Sequence, residues 1–385
     1  MKIAIVLGTR PEIIKMSPIV RACVRRGIDF FILHTGQHYT PELDTKIWSD
    51  LELPEPRYNL KVGSHPYAEQ VGIMTRDIMN VLKKEKPDAV IVQGDTISVL
   101  AGALASKRLN IPLAHHESGI RSGDLRMLEE TNRIVANHLA DYLFAPTIEA
   151  AKNLEHEGKD PRKISVTGHT IVDAVRENIS LAEKKSNILS RLKLEEGKYT
   201  VVTLHRSENV DIKETLLNII KGLSLAQEHI GLPMIFPMHP RTRVKMEEFN
   251  ILIPQNIQVT GPLGFLDFLY LESKAKLVFT DSGGLQEECF ILKVPCITLR
   301  DKTERPETVS YSVNVLVGSD PETILKETKL FLHKQFTWPD DNPFGDGHAG
   351  EKIIDLLIGR VSAYQRRALR VNLSRAVRDI LRRFR

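Results

Sequence analysis

Short apolar runs, each followed by a longer helical stretch, recur along this chain and restart once near its middle. KIAIVL (2–7), DFFILH (29–34), DAVIVQ (88–93), PLAHH (112–116) and DYLFAP (141–146) are too short for helices. They are rich in β-branched and aromatic residues and bounded by turn formers, which marks them as strands. Helical patterns such as EQVGIMTRDIMNVLKKE (69–85) lie between them, and Pro11 suits the first turn of a helix. Such alternation means a parallel sheet covered by helices on both faces. A second series follows: KYTVVTL (198–204), MIFPMH (234–239), IQVTG (257–261), KLVFTD (276–281), VPCITL (294–299) and VNVLVG (313–318).

Two series in 385 residues suit two domains, because a single core rarely grows past ~250–300 residues. The expected fold is α/β, with two Rossmann-like domains facing across a cleft. ISVTGHT (164–170) leads into a long charged helix, so the boundary is expected near Gly168, giving domains of 1–168 and 169–348. Nothing resembles a membrane span or a signal peptide. Three cysteines, Cys23, Cys289 and Cys296, are an odd number without CxxC spacing. That argues against a disulfide framework or a zinc site and for a reducing, cytoplasmic setting. The net charge of +4 is misleading, since residues 360–385 hold nine Arg and one Asp, leaving −4 for the rest. The body therefore gives no electrostatic argument for nucleic acid.

In open parallel sheets ligands sit beyond the carboxyl ends of the strands. Those positions here carry Arg10, Asp95, Glu117, His205, His239, Asp281 and Arg300. TDSGGLQEE (280–288) puts Ser282, Gly283 and Gly284 at a helix N-terminus, where unpaired N–H groups attract phosphate. Glu288, a turn or so later, could reach a ribose diol. The same residues also read as a Ser/Asp helix cap with a solvated acidic turn. No GxGxxG fingerprint follows the first strand, which disfavours a tight NAD site. GTRPEIIKM (8–16) offers the cations Arg10 and Lys15, suited to an anionic substrate or simply to the surface. QGDT, HHESGIRSGD and EETNR bring Asp95, Glu117, Asp124, Glu129, Glu130 and Arg133 within forty residues. Carboxylates grouped in a cleft can raise one another's pKa for proton transfer. Taken singly, Asp95 reads as a turn residue and Glu129 and Glu130 as a helix surface. His205 ends the first strand of the second series, where a lone histidine is more often structural.

Taken together, GTRPEIIKM, QGDT, HHESGIRSGD, EETNR, VTGHT, LHRSEN, MHP, TDSGGLQEE, RDKTERPE and NPFGDG resemble the non-hydrolysing UDP-N-acetylglucosamine 2-epimerase family, in family order from residue 8 to residue 347. The resemblance implies a glycosyltransferase-B-like fold whose last helix (about 349–360) crosses back to the first domain. It implies a cytoplasmic homodimer acting on a UDP-amino sugar without NAD or a required metal, in polysaccharide biosynthesis. The implied reaction interconverts UDP-GlcNAc and UDP-ManNAc by loss and return of UDP through a 2-acetamidoglucal. Carried over by motif, Asp95, Glu117 and Glu129 are acid/base carboxylates and His205 a further catalytic group. Arg10, Lys15, Arg133, His239, Phe268, Ser282, Gly283, Gly284 and Glu288 bind substrate or UDP. Gln37 and His38 match part of a site at which a second UDP-GlcNAc activates many bacterial members. Ser207 departs from that pattern, which often reads HRRE, and Leu128 stands where a proline often precedes the paired glutamates. A 2-epimerase of another UDP-2-acetamido sugar, such as a diacetamido uronic acid, would show the same motifs. A glycosyltransferase of this fold or a nucleotide-sugar sensor fits the carboxylate set less well. The tail 361–385 lies outside the family pattern, and Leu369, Leu373, Val377, Ile380 and Phe384 recur among its arginines at helical spacing. It reads as an accessory extension, or as a basic amphipathic helix for an anionic membrane surface or nucleic acid.

Overall fold

The computed structural model describes residues 1–37 and 47–361. They form two compact units: Met1–Thr170 with the segment from Gly347 onward, and Ile171–Asp346.

The first unit is built on a seven-stranded parallel sheet ordered β3-β2-β1-β4-β5-β6-β7. Its strands are β1 (Lys2–Leu7), β2 (Asp29–His34), β3 (Tyr58–Asn59), β4 (Ala89–Gln93), β5 (Leu113–His116), β6 (Tyr142–Ala145) and β7 (Ile164–Val166). β4 and β5 are buried along their whole length, as expected of central strands covered on both faces. β3 and β7 are new relative to the sequence pattern. They are two and three residues long, lie at the two edges and are half exposed, so neither carries an apolar run. The helix Ile97–Arg108 packs close on the sheet because it is rich in Ala, Gly and Ser. A Cβ at Gly102 would stand 3.0 Å from Val92 and 3.3 Å from Val6.

The second unit has a six-stranded parallel sheet ordered β10-β9-β8-β11-β12-β13. These are β8 (Thr200–Thr203), β9 (Met234–Pro237), β10 (Ile257–Thr260), β11 (Leu277–Thr280), β12 (Cys296–Thr298) and β13 (Asn314–Leu316). In each sheet the strand order reverses beside the first strand, between β1 and β4 and between β8 and β11. Such switch points open a crevice past the strand ends, where a ligand can sit. The last described helix, over 349–361, belongs to the first unit. Ile353, Ile354, Leu357 and Val361 are its buried face. Among the described residues no helix is long and apolar enough to cross a membrane.

Candidate functional site

In the first unit the loop after β1 is set by Glu12. Thr9 caps the helix Arg10–Arg25 in a capping box with Glu12, and Pro11 fills its first turn. The buried Glu12 carboxylate accepts from Gly8 N, Thr9 N and Thr9 Oγ1 at 2.8, 2.8 and 2.9 Å and from Thr96 Oγ1 at 2.8 Å. Burial raises it to about 7, against the pull of these hydrogen bonds. One side chain thus ties the loop carrying Arg10 to the loop carrying Asp95.

Glu117 follows β5 directly and takes a left-handed backbone, φ +63°, which is uncommon outside glycine. Lys15, from the first helix, donates to its Oε1 at 2.7 Å. His169, fully buried after β7, places Nε2 on the same oxygen. Gly94, after β4, faces the other oxygen: a Cβ built there would lie 3.6 Å from Oε2. His116 bonds Thr170 through Nε2 at 3.0 Å. Burial, then the neighbouring His169, hold its pKa well below the usual value, so its ring is neutral.

Asp95 is two residues past β4 and forms an ion pair with Arg133. Arg133 also donates to Glu130 at 2.5 Å, and Glu130 accepts from Ser122 N and Oγ, both at 3.0 Å. Asn132 donates to Asp95 O at 2.9 Å and accepts from Tyr67 at 2.6 Å. Glu129 and Glu130 share the first turn of the helix Leu128–Leu139. Of these two glutamates Glu130 is buried, whereas Glu129 is exposed. Burial, then the charge of Glu129, raise the Tyr67 phenol, which puts Glu129 on the Tyr67 side. Gln37 is buried, its Oε1 accepting from Ser98 N at 3.1 Å and Ser98 Oγ at 2.9 Å. His38 and the tail beyond Val361 lie outside the described residues.

In the second unit the tips of β8 and β11 meet. His205 Nδ1 lies 3.0 Å from Asp281 Oδ1, and Asp281 Oδ2 accepts from the backbone N–H of His205 and Arg206 at 2.9 and 2.8 Å. Burial pushes this carboxyl up. The bond and charge of His205, with the two backbone donors, outweigh burial and hold it below the ordinary range. Occupying Nδ1 leaves Nε2 of His205 as the outward nitrogen. The His239 ring lies 5.8 Å from that of His205 and caps the helix Pro240–Glu248.

Beside them Ser282 caps the helix Gly283–Leu292, its Oγ accepting from Leu285 N at 3.4 Å. Gly283 packs on Glu304, where a Cβ would stand 2.6 Å from Oε1, and Gly284 opens away. Glu304 accepts from Arg206 at 3.0 Å and Arg300 at 2.8 Å. Burial raises the Glu304 carboxyl, but Arg305, Arg206 and Arg300 bring it down to about 2. Glu288 is buried beside Glu272, whose carboxyl is raised well above the usual value by burial and then by the Glu288 charge. Phe268 is half-buried against the apolar core of this unit.

The first unit thus gathers Lys15, Asp95, Glu117 and Arg133 past neighbouring strand ends. The second gathers His205, Ser282 and Gly283 past its own. Sequence reasoning missed His169, the orienting role of Asp281 and the anchoring role of Glu304. His169 stands in the VTGHT motif, but the strand before it carries no apolar run to mark it as a strand end.

The UDP-N-acetylglucosamine 2-epimerase family pattern matches residues 21–358. The UDP-N-acetylglucosamine 2-epimerase of Methanocaldococcus jannaschii is 49% identical over 363 residues, covering 93% of this chain and 99% of that protein. Its crystal structure in complex with UDP-GlcNAc and UDP aligns over 93% of this chain and 99% of that one, with a TM-score of 0.88. The UDP-2,3-diacetamido-2,3-dideoxy-D-glucuronate 2-epimerase of Pseudomonas aeruginosa is 36% identical over 359 residues, covering 93% and 99%.

Proposed function

Because this chain belongs to the UDP-N-acetylglucosamine 2-epimerase family, we propose that it is an isomerase interconverting UDP-GlcNAc and UDP-ManNAc. The observation that carries the substrate is the 49% identity, over nearly the whole chain, to a relative crystallised with UDP-GlcNAc and UDP. The chemistry follows from the residues. A carboxylate of the first unit takes the proton from C2. The C2–H electron pair becomes the C1–C2 double bond, and the C1–O bond breaks with its electrons leaving on UDP. Protonation of the resulting 2-acetamidoglucal on the opposite face of C2, with return of UDP to C1, gives the epimer. Glu117 and Asp95 are the acid/base groups nearest the strand ends, and Glu129 completes the carboxylate set from the first turn of its helix. Their arrangement beside Lys15 and Arg133 supports this, because fixed cations orient the carboxylate oxygens. The helix tip at Ser282, Gly283 and Gly284 holds the diphosphate through unpaired N–H groups and the helix dipole. Glu288 takes the ribose, with His239 and Phe268 beside the nucleotide. His205 Nε2, oriented by Asp281, and Arg10 serve the sugar and its phosphates.

The same reading makes the protein a cytoplasmic homodimer that supplies UDP-ManNAc for polysaccharide synthesis. Gln37 and His38 are its candidate contacts to a second, activating UDP-GlcNAc. The diacetamido uronate is the second reading, favoured by the 36% identical Pseudomonas relative. Proton NMR in D2O decides between them. Incubation with UDP-GlcNAc is expected to give UDP-ManNAc deuterated at C2. No exchange with UDP-GlcNAc, but exchange with the diacetamido uronate, would replace the first substrate by the second. No exchange with either would reject epimerisation.

A further inference from the structure

Asp95 reaches its place through a sharp exit from β4. Gly94, between the strand and Asp95, is buried and has φ +84°, a conformation that glycine enters freely. Side chains meet both carbonyls of this turn. Gly94 O lies 2.7 Å from Nε2 of His115, and Asp95 O accepts from Asn132 at 2.9 Å. His115 stands on β5 and is fully buried, with Nδ1, its other ring nitrogen, 2.7 Å from the Asn137 carboxamide. Beyond Asn137 is Arg121, which donates to the Glu157 carboxylate through Nε at 2.6 Å and Nη2 at 2.7 Å.

The two ends of this series have fixed roles, because a peptide carbonyl accepts and a guanidinium donates. Gly94 O therefore requires a hydrogen on Nε2, and Arg121 requires the oxygen of the Asn137 carboxamide. That oxygen accepts from Arg121 Nη2 and Nη1 at 2.8 and 3.1 Å and from Gly119 N at 3.3 Å. The amide nitrogen then faces the ring, donating to Nδ1 at 2.7 Å and to Ser118 Oγ at 3.3 Å. The opposite tautomer would set a bare nitrogen against Gly94 O. A doubly protonated ring would set Nδ1–H against the amide N–H. The neutral Nε2–H form satisfies every contact. Burial, the largest influence on this histidine, lowers its pKa, in keeping with a neutral ring.

We propose that His115 is a positioning residue for the epimerisation: locked as the Nε2–H tautomer by Asn137 and Arg121, it holds the Gly94 carbonyl and so fixes the turn that carries Asp95. The inference rests on the reading of Asp95 as an acid/base group. Arg133 pairs with the Asp95 carboxylate itself, but an ion pair at the end of a side chain does not set the peptide from which that side chain starts. A catalytic group displaced by a fraction of its reach loses much of its rate advantage.

The test uses substitutions that keep one end of the ring and lose the other. A glutamine carboxamide reaches the place of Nε2, whereas an asparagine carboxamide reaches only that of Nδ1. His115→Gln thus keeps a donor for Gly94 O and His115→Asn removes it, although both lose the ring. His115→Asn is expected to lower kcat about 10- to 30-fold and His115→Gln less than about threefold, with UDP affinity changed less than about threefold in either. The substitutions are then repeated in an Asp95→Asn background. A residue that acts through Asp95 loses its effect there, so His115→Asn should lower the remaining turnover less than about twofold. Should His115→Asn fold poorly, Asn137→Leu, which removes the lock and keeps the ring, takes its place in the same comparison. Equal losses of kcat for His115→Gln and His115→Asn, or an undiminished loss in the Asp95→Asn background, would make His115 a structural residue and overturn the proposal. If Asp95→Asn alone keeps wild-type turnover, the role of Asp95 is wrong and the proposal falls with it. If Asp95→Asn loses turnover while the His115 variants match wild type, the positioning role alone fails.

Discussion

Asp95 and Glu117 end up side by side because β4 and β5 pair with Gln93 opposite His116, which puts the residues just beyond both strands at one edge. Each meets a different cation, Arg133 for Asp95 and Lys15 for Glu117. Each carboxylate is thereby held by its own cation, placed to take or give a proton in the proposed reaction. Asp95→Asn and Glu117→Gln remove this ability while keeping size and most hydrogen bonds. Each should lower kcat at least about 100-fold with UDP affinity changed less than about threefold. Turnover and isothermal titration with UDP check this. Parallel loss of both quantities would place these residues in a binding site rather than at the chemistry. Glu129 and Glu130 show where sequence stops at this scale. Adjacent acids in a helix's first turn look alike in a sequence, whereas in the fold Glu130 is buried with Arg133 and Glu129 is exposed.

Two helix beginnings carry candidate site residues, and each can be tested as an element. At Gly283–Leu292 the glycines have different reasons. A Cβ on Gly283 would press on Glu304, which three arginines hold, whereas one on Gly284 meets nothing closer than Ser282 Oγ at 3.8 Å. Gly283→Ala should therefore lose both stability, by about 1–3 kcal/mol, and UDP binding. Gly284→Ala should keep its melting temperature and lose at least about tenfold in UDP affinity, by filling the space proposed for the diphosphate. Equal UDP affinity for Gly284→Ala and wild type would remove the diphosphate from this helix tip. At Arg10–Arg25 the cap is Glu12, raised to about 7 chiefly by burial. A group raised in the folded state contributes stability that is full below its unfolded value of 4.5 and is lost as pH rises through about 7. Glu12→Gln keeps one accepting oxygen for the loop N–H groups and does not titrate. The stability of wild type relative to this variant should fall by about 3 kcal/mol between pH 4.5 and 8, read by urea unfolding across that range. A difference independent of pH would mean that Glu12 keeps one charge state throughout.

At the scale of the molecule, the two-sheet plan was legible because central parallel strands are apolar on both faces, as IAIVL and AVIVQ are. β7 was not, since an edge strand of three half-exposed residues has no such run. With β7 unseen, the end-of-strand position of His169 was hidden too. The return of the last helix came from family likeness, and its cause is three-dimensional. Gly350 lies against Pro18, inside the first helix, and a Cβ there would stand 2.8 Å from the Pro18 backbone. Arg25 and Arg26 also pair with Glu351 and Asp355 along this contact. Exposed ion pairs contribute little, so the close approach and the buried Ile353, Ile354 and Leu357 should dominate. Gly350→Val is then expected to lower stability by about 1–3 kcal/mol and Arg25→Ala to leave the unfolding midpoint almost unchanged. UDP affinity should be untouched in both, because neither residue belongs to the proposed substrate site. Urea unfolding of the full chain separates the alternatives. If Arg25→Ala costs more than Gly350→Val, charge rather than packing holds the returning helix, and the glycine is incidental.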